Sequence, residues 1–330
     1  METMDMPAIP VTVIIMTRNE AANIGLCLSL LSRFAQVLVV DSHSTDSTAV
    51  IAAANGADLV QFRWNGVYPK KKQWSLSHAS TRHDWVLFID ADERVTPQLV
   101  AEIGDLMRRG PEAAAYFIDS RPLWLGRVLR HGTPYRKIAL MDRRRTRFPV
   151  CPDLHVTRMW EVEGHYQPMV DGPVGRLHNF MIHADQKPPA DWFDRHNRYS
   201  DWEAELGHGG GAVSALLAGE RGWRRLAKRL LARVPGRPWL AFLHAYVWHL
   251  GFLDGKPGLH HALSRLFYYW SIDLKRDWLA ARDAASQPDL SGALGADPAD
   301  QPALALSSPS PASVFTSSNV RRRTASSGIR

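Results

Sequence analysis

The sequence predicts an α/β protein. A doubly wound, mostly parallel sheet fills the first 110 residues, hairpins follow, and a helical region completes the C-terminal part. Three observations predict this. Short β-branched runs alternate with segments of helical period through residue 110, the pattern of parallel strands joined by crossover helices. The buried runs stop repeatedly at polar, acid-bearing clusters. After residue 113 the strand-like runs follow one another without helices between them.

The elements are read in chain order. VTVIIMT (11–17) is a β-branched run and a buried strand. Residues 20–34 place Ile24, Leu28 and Leu31 at helical spacing. QVLVVDS (36–42) is the second strand, 45–54 a helix with Gly56 as its stop, and DLVQF (58–62) the third strand. Residues 70–80 read as helix and DWVLFIDAD (84–92) as the fourth strand. Thr96 caps a helix running to about Arg109. Residues 113–126, 137–149 and parts of 155–182 have strand or hairpin character, and 189–206 is a helix bearing Trp192, Phe193, Tyr199 and Trp202. RGWRRLAKRLLARVPGR (221–237) holds seven basic residues and no acid, with Trp223, Leu226, Leu230 and Val234 on one helical face. Such basic amphipathic helices lie on anionic membrane surfaces. From about Ser286 the chain turns to Ser, Pro, Ala and Asp, the composition of a disordered tail. The expected division is 1–110, 111–206, 207–285 and 286–330.

Composition sets the outer bounds. The chain has 330 residues, 45% hydrophobic and 22% charged, enough for a substantial core. Its two cysteines, Cys27 and Cys151, are too far apart for a zinc ribbon or a redox CxxC, and a reducing cytosolic setting fits. A formal net charge of +7 suits an anionic partner, yet no zinc-finger, helix-turn-helix or RNA-recognition signal accompanies it, so no nucleic-acid partner is expected. The opening METMDMPAIP lacks a basic segment followed by an apolar run, and no signal peptide is expected. WLAFLHAYVWHLGFL (239–253) is too short and too polar for a clean membrane span and reads as an interfacial or core helix.

The chemistry collects at strand ends. In open α/β sheets ligands bind beyond the carboxyl ends of the strands. Strand one ends in Thr17-Arg18-Asn19-Glu20, strand two in Asp41-Ser42-His43-Ser44-Thr45-Asp46, and strand four in Asp90-Ala91-Asp92-Glu93. Asp90 and Asp92, at i and i+2 past a buried strand, suit one hard divalent cation, Mg²⁺ or Mn²⁺, bridging a diphosphate. Asp41 is placed to accept from a base N–H and Glu20 to face a ribose, with Thr17, Asn19, Ser44 and Asp46 completing the nucleotide rim. Within Lys70-Lys71-Lys72, Lys72 is the candidate for the phosphates. TRNEAANIG carries neither GxGxxG nor GxxxxGK[ST], which excludes dinucleotide enzymes and P-loop ATPases.

TRNE, VVDSHSTDST and WVLFIDADE resemble the motifs of the metal-dependent, inverting family 2 glycosyltransferases of GT-A fold. Within that family the likeness is to bacterial enzymes of lipopolysaccharide-core and exopolysaccharide assembly. WNGVYPKKKQWSLSHA (64–79) resembles their tryptophan–glycine–lysine segment, and EVEGHYQP, RLHNFMIHAD and FLDGKPG extend the likeness more weakly. His43 stands where those enzymes have glycine, and their His-Glu pair after the hairpins is replaced by His155-Val156 and Glu163-Gly164-His165.

The resemblance implies transfer of a sugar from a nucleotide-sugar donor, a UDP-sugar first, to a lipid-linked or glycan acceptor in cell-envelope polysaccharide or lipopolysaccharide synthesis. It implies Glu163 as catalytic base with Asp153 second, and His183 as a further metal ligand beside Asp90 and Asp92, with Asp185 another candidate. The basic 221–237 stretch adds an anionic membrane surface as partner, and hence a cytoplasmic enzyme resting peripherally on the inner face of the cell membrane. Two other classes remain open: a nucleotidyltransferase, and a non-catalytic membrane-docked protein with a transferase fold.

Overall fold

The computed structural model describes residues 7–78, 80–150, 161–162, 167–208 and 236–285. By contact the chain divides into Met1–Asp283 and Ala284–Arg330. Asp153, Glu163, the stretch 221–235 and the tail 286–330 lie outside the described residues.

The parallel half contains β1 (Ile9–Thr17), β2 (Phe34–Asp41), β3 (Asp58–Gln61) and β4 (Trp85–Asp90), ordered β3-β2-β1-β4. Between and after them lie α1 (Ala21–Ser29), α2 (Thr48–Ala54), α3 (Lys71–Ser77) and α4 (Pro97–Arg109). The strands alternate as their sequence does. Val11, Val13, Ile15, Val39, Leu87 and Ile89 bury into one core with Ile24 of α1 and Leu99 and Ile103 of α4. Ile14, Leu38, Val40, Val86 and Phe88 bury into a second with Leu76 of α3 and Phe62. Successive side chains point to opposite faces, so a strand apolar throughout needs cover on both. Each fully buried aliphatic side chain contributes about 1.5–3 kcal/mol.

Register aligns the strand ends. Thr17 pairs with Asp41 across β1 and β2, and Met16 with Asp90 across β1 and β4. The three clusters therefore leave the sheet at one level. Helix α4 starts as predicted: the Thr96 hydroxyl accepts from Leu99 N at 3.2 Å, Pro97 opens the first turn, and Arg108 and Arg109 face the C-terminal dipole.

Several N-terminal boundaries shift by one to three residues, and two differ more from expectation. Helix α1 stops at Ser29, because Leu31 is buried and its carbonyl accepts from Phe34 N, turning the chain into β2. The run 84–92 is one strand only to Asp90. After a two-residue turn, β5 (Glu93–Val95) departs to pair elsewhere. Arg94 pins that turn through the carbonyls of Ala91 and Glu93, and Glu93 accepts from Asp90 N.

The second half contains β6 (Ala115–Trp124), β7 (Arg127–Val128), β8 (Tyr135–Asp142), β9 (Thr146–Arg147), β10 (Met169–Val170) and β11 (Val174–His183). β8 lies antiparallel between β4 and β6, β11 runs parallel to β6, and β5 lies antiparallel to β11. The path of pairing thus leaves β4 and returns to the chain two residues beyond it. Then come α5 (Pro189–His208), α6 (Arg237–Leu243), a π turn (His244–Trp248), a 3₁₀ turn (Gly251–Asp254) and α7 (Gly255–Ala285). The 239–253 stretch is therefore not one helix: Leu250 takes a left-handed φ of 57° and reverses the chain. No described helix is long and apolar enough to cross a membrane.

Candidate active site

The first two clusters fasten to each other. Thr17 Oγ1 donates to Asp41 Oδ1 at 2.8 Å, Ser44 Oγ to the same oxygen at 2.5 Å, and Ser44 N to Oδ2 at 2.8 Å. Asp41 is fully buried. Burial works to raise its carboxyl, but the bonds from Ser44 and Thr17 outweigh it and hold Asp41 ionised below the usual range. Asn19 and His43 both take left-handed backbone, at φ 55° and 51°. His43 thus adopts the conformation that glycine, its usual counterpart, takes without steric cost, and the turn is kept. The Asn19 side chain accepts from Thr45 N at 2.8 Å, while Asp46 accepts from Ala21 N and Thr48 N. Asn19 and Asp46 act on the two loops themselves, locking one against the other.

Glu20 faces away from that lock. Its carboxylate accepts from Lys187 Nζ at 2.5 Å and from Asn23 Nδ2 at 2.9 Å. Asn23 also donates to Asp185 at 3.1 Å and accepts from Gln186 N, which ties the start of α1 to the segment after β11.

The third cluster is built by β-sheet register. His183 pairs with Glu93 across β11 and β5, and Ala184 N donates to Asp92 O at 2.7 Å. This sets His183 Nδ1 3.6 Å from Asp92 Oδ1. Arg195 of α5 reaches in from the other side, with one nitrogen 2.6 Å from Asp185 and the other 3.7 Å from Asp92. Asp185 is thereby held down at about 2: burial opposes ionisation, but the Lys187 amide and Arg195 overcome it. Asp92 is buried, and burial raises its carboxyl above the usual range. His183 opposes that rise, and the Asp90 and Glu93 carboxylates add to it.

Asp90 has a different environment. Lys137 Nζ of β8 lies 2.8 Å from Asp90 and 2.6 Å from Glu93. Against the effect of burial, Lys137, Lys72 and His183 keep Asp90 strongly ionised. Lys72 sits over the Phe148 ring at 5.6 Å, within the field of Asp90. Its neighbours Lys70 and Lys71 are both fully buried, and Lys71 donates to Thr17 O at 2.8 Å and Ser42 Oγ at 2.6 Å. Glu161 lies 3.6 Å from its Nζ and also accepts from Ser42. Burial lowers the Lys71 ammonium to about 8.

Among the described residues no group of three or more His, Cys, Asp or Glu is gathered to hold a metal alone. Asp92 and His183 with Asp90 adjoining form a partial set, oxygen-rich and open. Mg²⁺ and Mn²⁺ commonly take one or two protein carboxylates and complete their shell with phosphate oxygens and water. A buried Asp92 carboxylate, with His183 and Arg195 near it but at 3.6 and 3.7 Å, is the local feature such an ion fits. Of the predicted residues, Thr17, Asp41 and Ser44 form one knot, and Asp90, Asp92 and His183 a second. Glu20 belongs to the link towards Asp185. Lys137, Arg195 and Asn23 escaped sequence reading, and within the lysine run the sequence favours Lys72 over Lys71; Glu93 carried a signal, as the last letter of DADE.

Residues 12–159 match the family described as Glycosyl transferase family 2. Over 125 residues the chain is 32% identical to the lipopolysaccharide core biosynthesis glycosyltransferase LpsC of Rhizobium meliloti, covering 36% of this chain and 45% of that protein. An uncharacterized glycosyltransferase of Rickettsia bellii is 39% identical over 94 residues, 28% of this chain and 31% of that one. The chain thus spans less than half the length of either relative. Among solved structures, the mannosyltransferase PcManGT of Pyrobaculum calidifontis in complex with GDP-Man and Mn²⁺ is similar at a TM-score of 0.41 and 17% identity, over 83% of this chain and 89% of that one. Glucosyl-3-phosphoglycerate synthase of Mycobacterium tuberculosis with Mn²⁺, UDP and glucosyl-3-phosphoglycerate is similar at a TM-score of 0.36 and 20% identity, over 60% and 78%. Strand-end motifs and sequence matches agree over this part of the chain: residues 12–159 are similar to glycosyl transferase family 2.

Proposed function

We propose that this protein is an inverting glycosyltransferase that moves a sugar from a nucleotide donor, a UDP-sugar first, to a lipid-linked or glycan acceptor of the cell envelope. The observation that carries the reading is the register that aligns Thr17 with Asp41 and Met16 with Asp90, so that two polar knots share one rim of a parallel sheet. The Asp41 knot is ionised, buried and rigid, suited to accept N–H groups from a base. The Asp92–His183 pair, with Asp90, would hold Mg²⁺ or Mn²⁺. When bound, that ion neutralises the diphosphate leaving group.

The chain's own residues do the rest. Lys137 keeps Asp90 ionised, and Arg195 holds Asp185 beside Asp92. Lys72, in the field of Asp90, supplies positive charge towards the phosphates. Inversion needs a carboxylate on the face of the sugar opposite the diphosphate to take the acceptor proton; Glu163, or Asp153, fills that role. Residues 1–110 bind the donor and 111–206 carry the acceptor side. LpsC, named as a glycosyltransferase of lipopolysaccharide core biosynthesis, supports the sugar-transfer reading and a cell-envelope acceptor. In this reading the enzyme rests on the cytoplasmic face of the membrane, an anionic surface matched by the net charge of +7.

A panel of nucleotide-sugars with and without Mn²⁺ tests the proposal. One donor is expected to raise the melting temperature only with the metal and to release its nucleoside diphosphate. Pyrophosphate release would support nucleotidyl transfer instead, and no shift with any donor would overturn both.

A further inference from the structure

The helical region ends the described chain as a hairpin. Arg237, which opens α6, lies 3.6 Å from Asp273 and over the Tyr269 ring at 4.4 Å. Further along, Ala245 and His261 both come within about 4 Å of the space beside Gly132. The segment 237–248 therefore runs antiparallel to α7, from beside 269–273 to beside 261. Asp254, at the bend, accepts from Arg130 N and His131 N and fixes the hairpin to the loop before β8.

One face of α7 packs inward: His261, Ile272 and Leu279 are buried. The opposite face does not. Leu263, Phe267, Trp270, Leu274 and Trp278 are all exposed, and at about 100° per residue they fall within an arc of roughly 80°. The antiparallel arm adds exposed Trp239, Leu243, Val247 and Trp248, the last 80% exposed, with Phe252 at the bend. The five on α7 share one helix face, and a set of this kind marks an interaction surface rather than scattered surface apolarity. Four of its members are tryptophans, whose apolar body and N–H donor suit a boundary between hydrocarbon and polar headgroups.

Charge selects the occupant. Seven basic residues and no acid lie in 221–237, immediately before Trp239, and the whole chain carries +7. A second copy would carry the same net charge of +7 and repel; an anionic lipid surface complements it. We infer that the exposed tryptophan-bearing face of the α6–α7 hairpin seats this protein on an anionic lipid bilayer. The inference deepens the membrane part of the proposed function by naming the face that makes contact, and it needs no turnover to be tested.

The test is flotation of the full chain with vesicles of phosphatidylcholine alone and of phosphatidylcholine with phosphatidylglycerol. The unaltered protein floats with the anionic vesicles. Trp248→Ser/Trp270→Ser/Trp278→Ser lowers the bound fraction at least about tenfold, with circular dichroism and melting temperature kept. The single variants Trp248→Ser and Trp278→Ser, each lowering binding, carry the test if the triple variant misfolds. Failure of the unaltered protein to float overturns this inference and the membrane reading together. Flotation that survives the substitutions overturns the face alone. A dimer in solution that the substitutions convert to monomer assigns the face to a second copy and also overturns the inference.

Discussion

Lys137 holds Asp90 at 2.8 Å from 47 residues along the chain, and the same ammonium lies 2.6 Å from buried Glu93. One cation thus orients two carboxylates of the DADE turn. Removing it leaves Glu93 buried without its counter-charge, which is the costly case for ion pairs. Lys137→Met is expected to lower unfolding free energy by about 2–3 kcal/mol in urea titration. An unchanged midpoint would show that the pair does not support the turn.

Asp92 has the reverse problem, being a buried carboxylate raised by its surroundings. Asp92→Asn keeps the shape and removes the charge. Metal-dependent turnover is expected to fall at least about 100-fold. Folding stability at pH 7 is expected to rise, because the desolvated charge is gone. Near-normal turnover would remove Asp92 from the metal site; a marked fall in melting temperature would make it a structural acid.

His261 supplies a pH signature. It is 3% exposed, and burial, reinforced by Arg265 and His183, lowers its imidazole to about 4 against 6.5 in the unfolded chain. Between those values the unfolded state binds more protons, so stability rises with pH through the window and falls as pH drops from 6.5 to 4. His261→Gln is expected to flatten that slope, with a difference from the unaltered protein reaching on the order of 3 kcal/mol at pH 4. Denaturation at several pH values checks it, and parallel slopes would refute it. Asp185, held at about 2, loses its contribution only below the ordinary carboxylate range and leaves the His261 window clear.

Cys27 should be inert. It is 1% exposed, and burial raises its thiol to about 12. Alkylation followed by peptide mapping is expected to leave Cys27 unlabelled in the native protein and labelled in urea. Rapid native labelling would mean that α1 opens readily.

Much of this architecture was legible in the strands. VTVIIMT, QVLVVDS and WVLFID are apolar on both faces, and only a parallel sheet covered on two sides satisfies that pattern. Their polar ends follow at once, since a buried strand must leave the core before acids can be solvated. The break at Asp90 was not legible, because β5 exists only through pairing with β11, whose partner residues lie far off in the chain. The lysine run shows the same limit. Lys72 is the phosphate candidate by sequence, yet which lysines of the three turn inward depends on helix phase and on what covers them: Lys70 and Lys71 are both buried, and Lys71 lies against Glu161.

By itself the sequence determined the parallel half, the acid clusters at its rim and their likeness to a transferase family, because strand periodicity and motif spacing are local properties. Only the tertiary structure decided the partners: Lys137 for Asp90, His183 and Arg195 for Asp92, Lys187 for Glu20, and an outward face for the tryptophans of α7. Those choices depend on long-range register and on which side of each element found cover, and neither is written in any short stretch of chain.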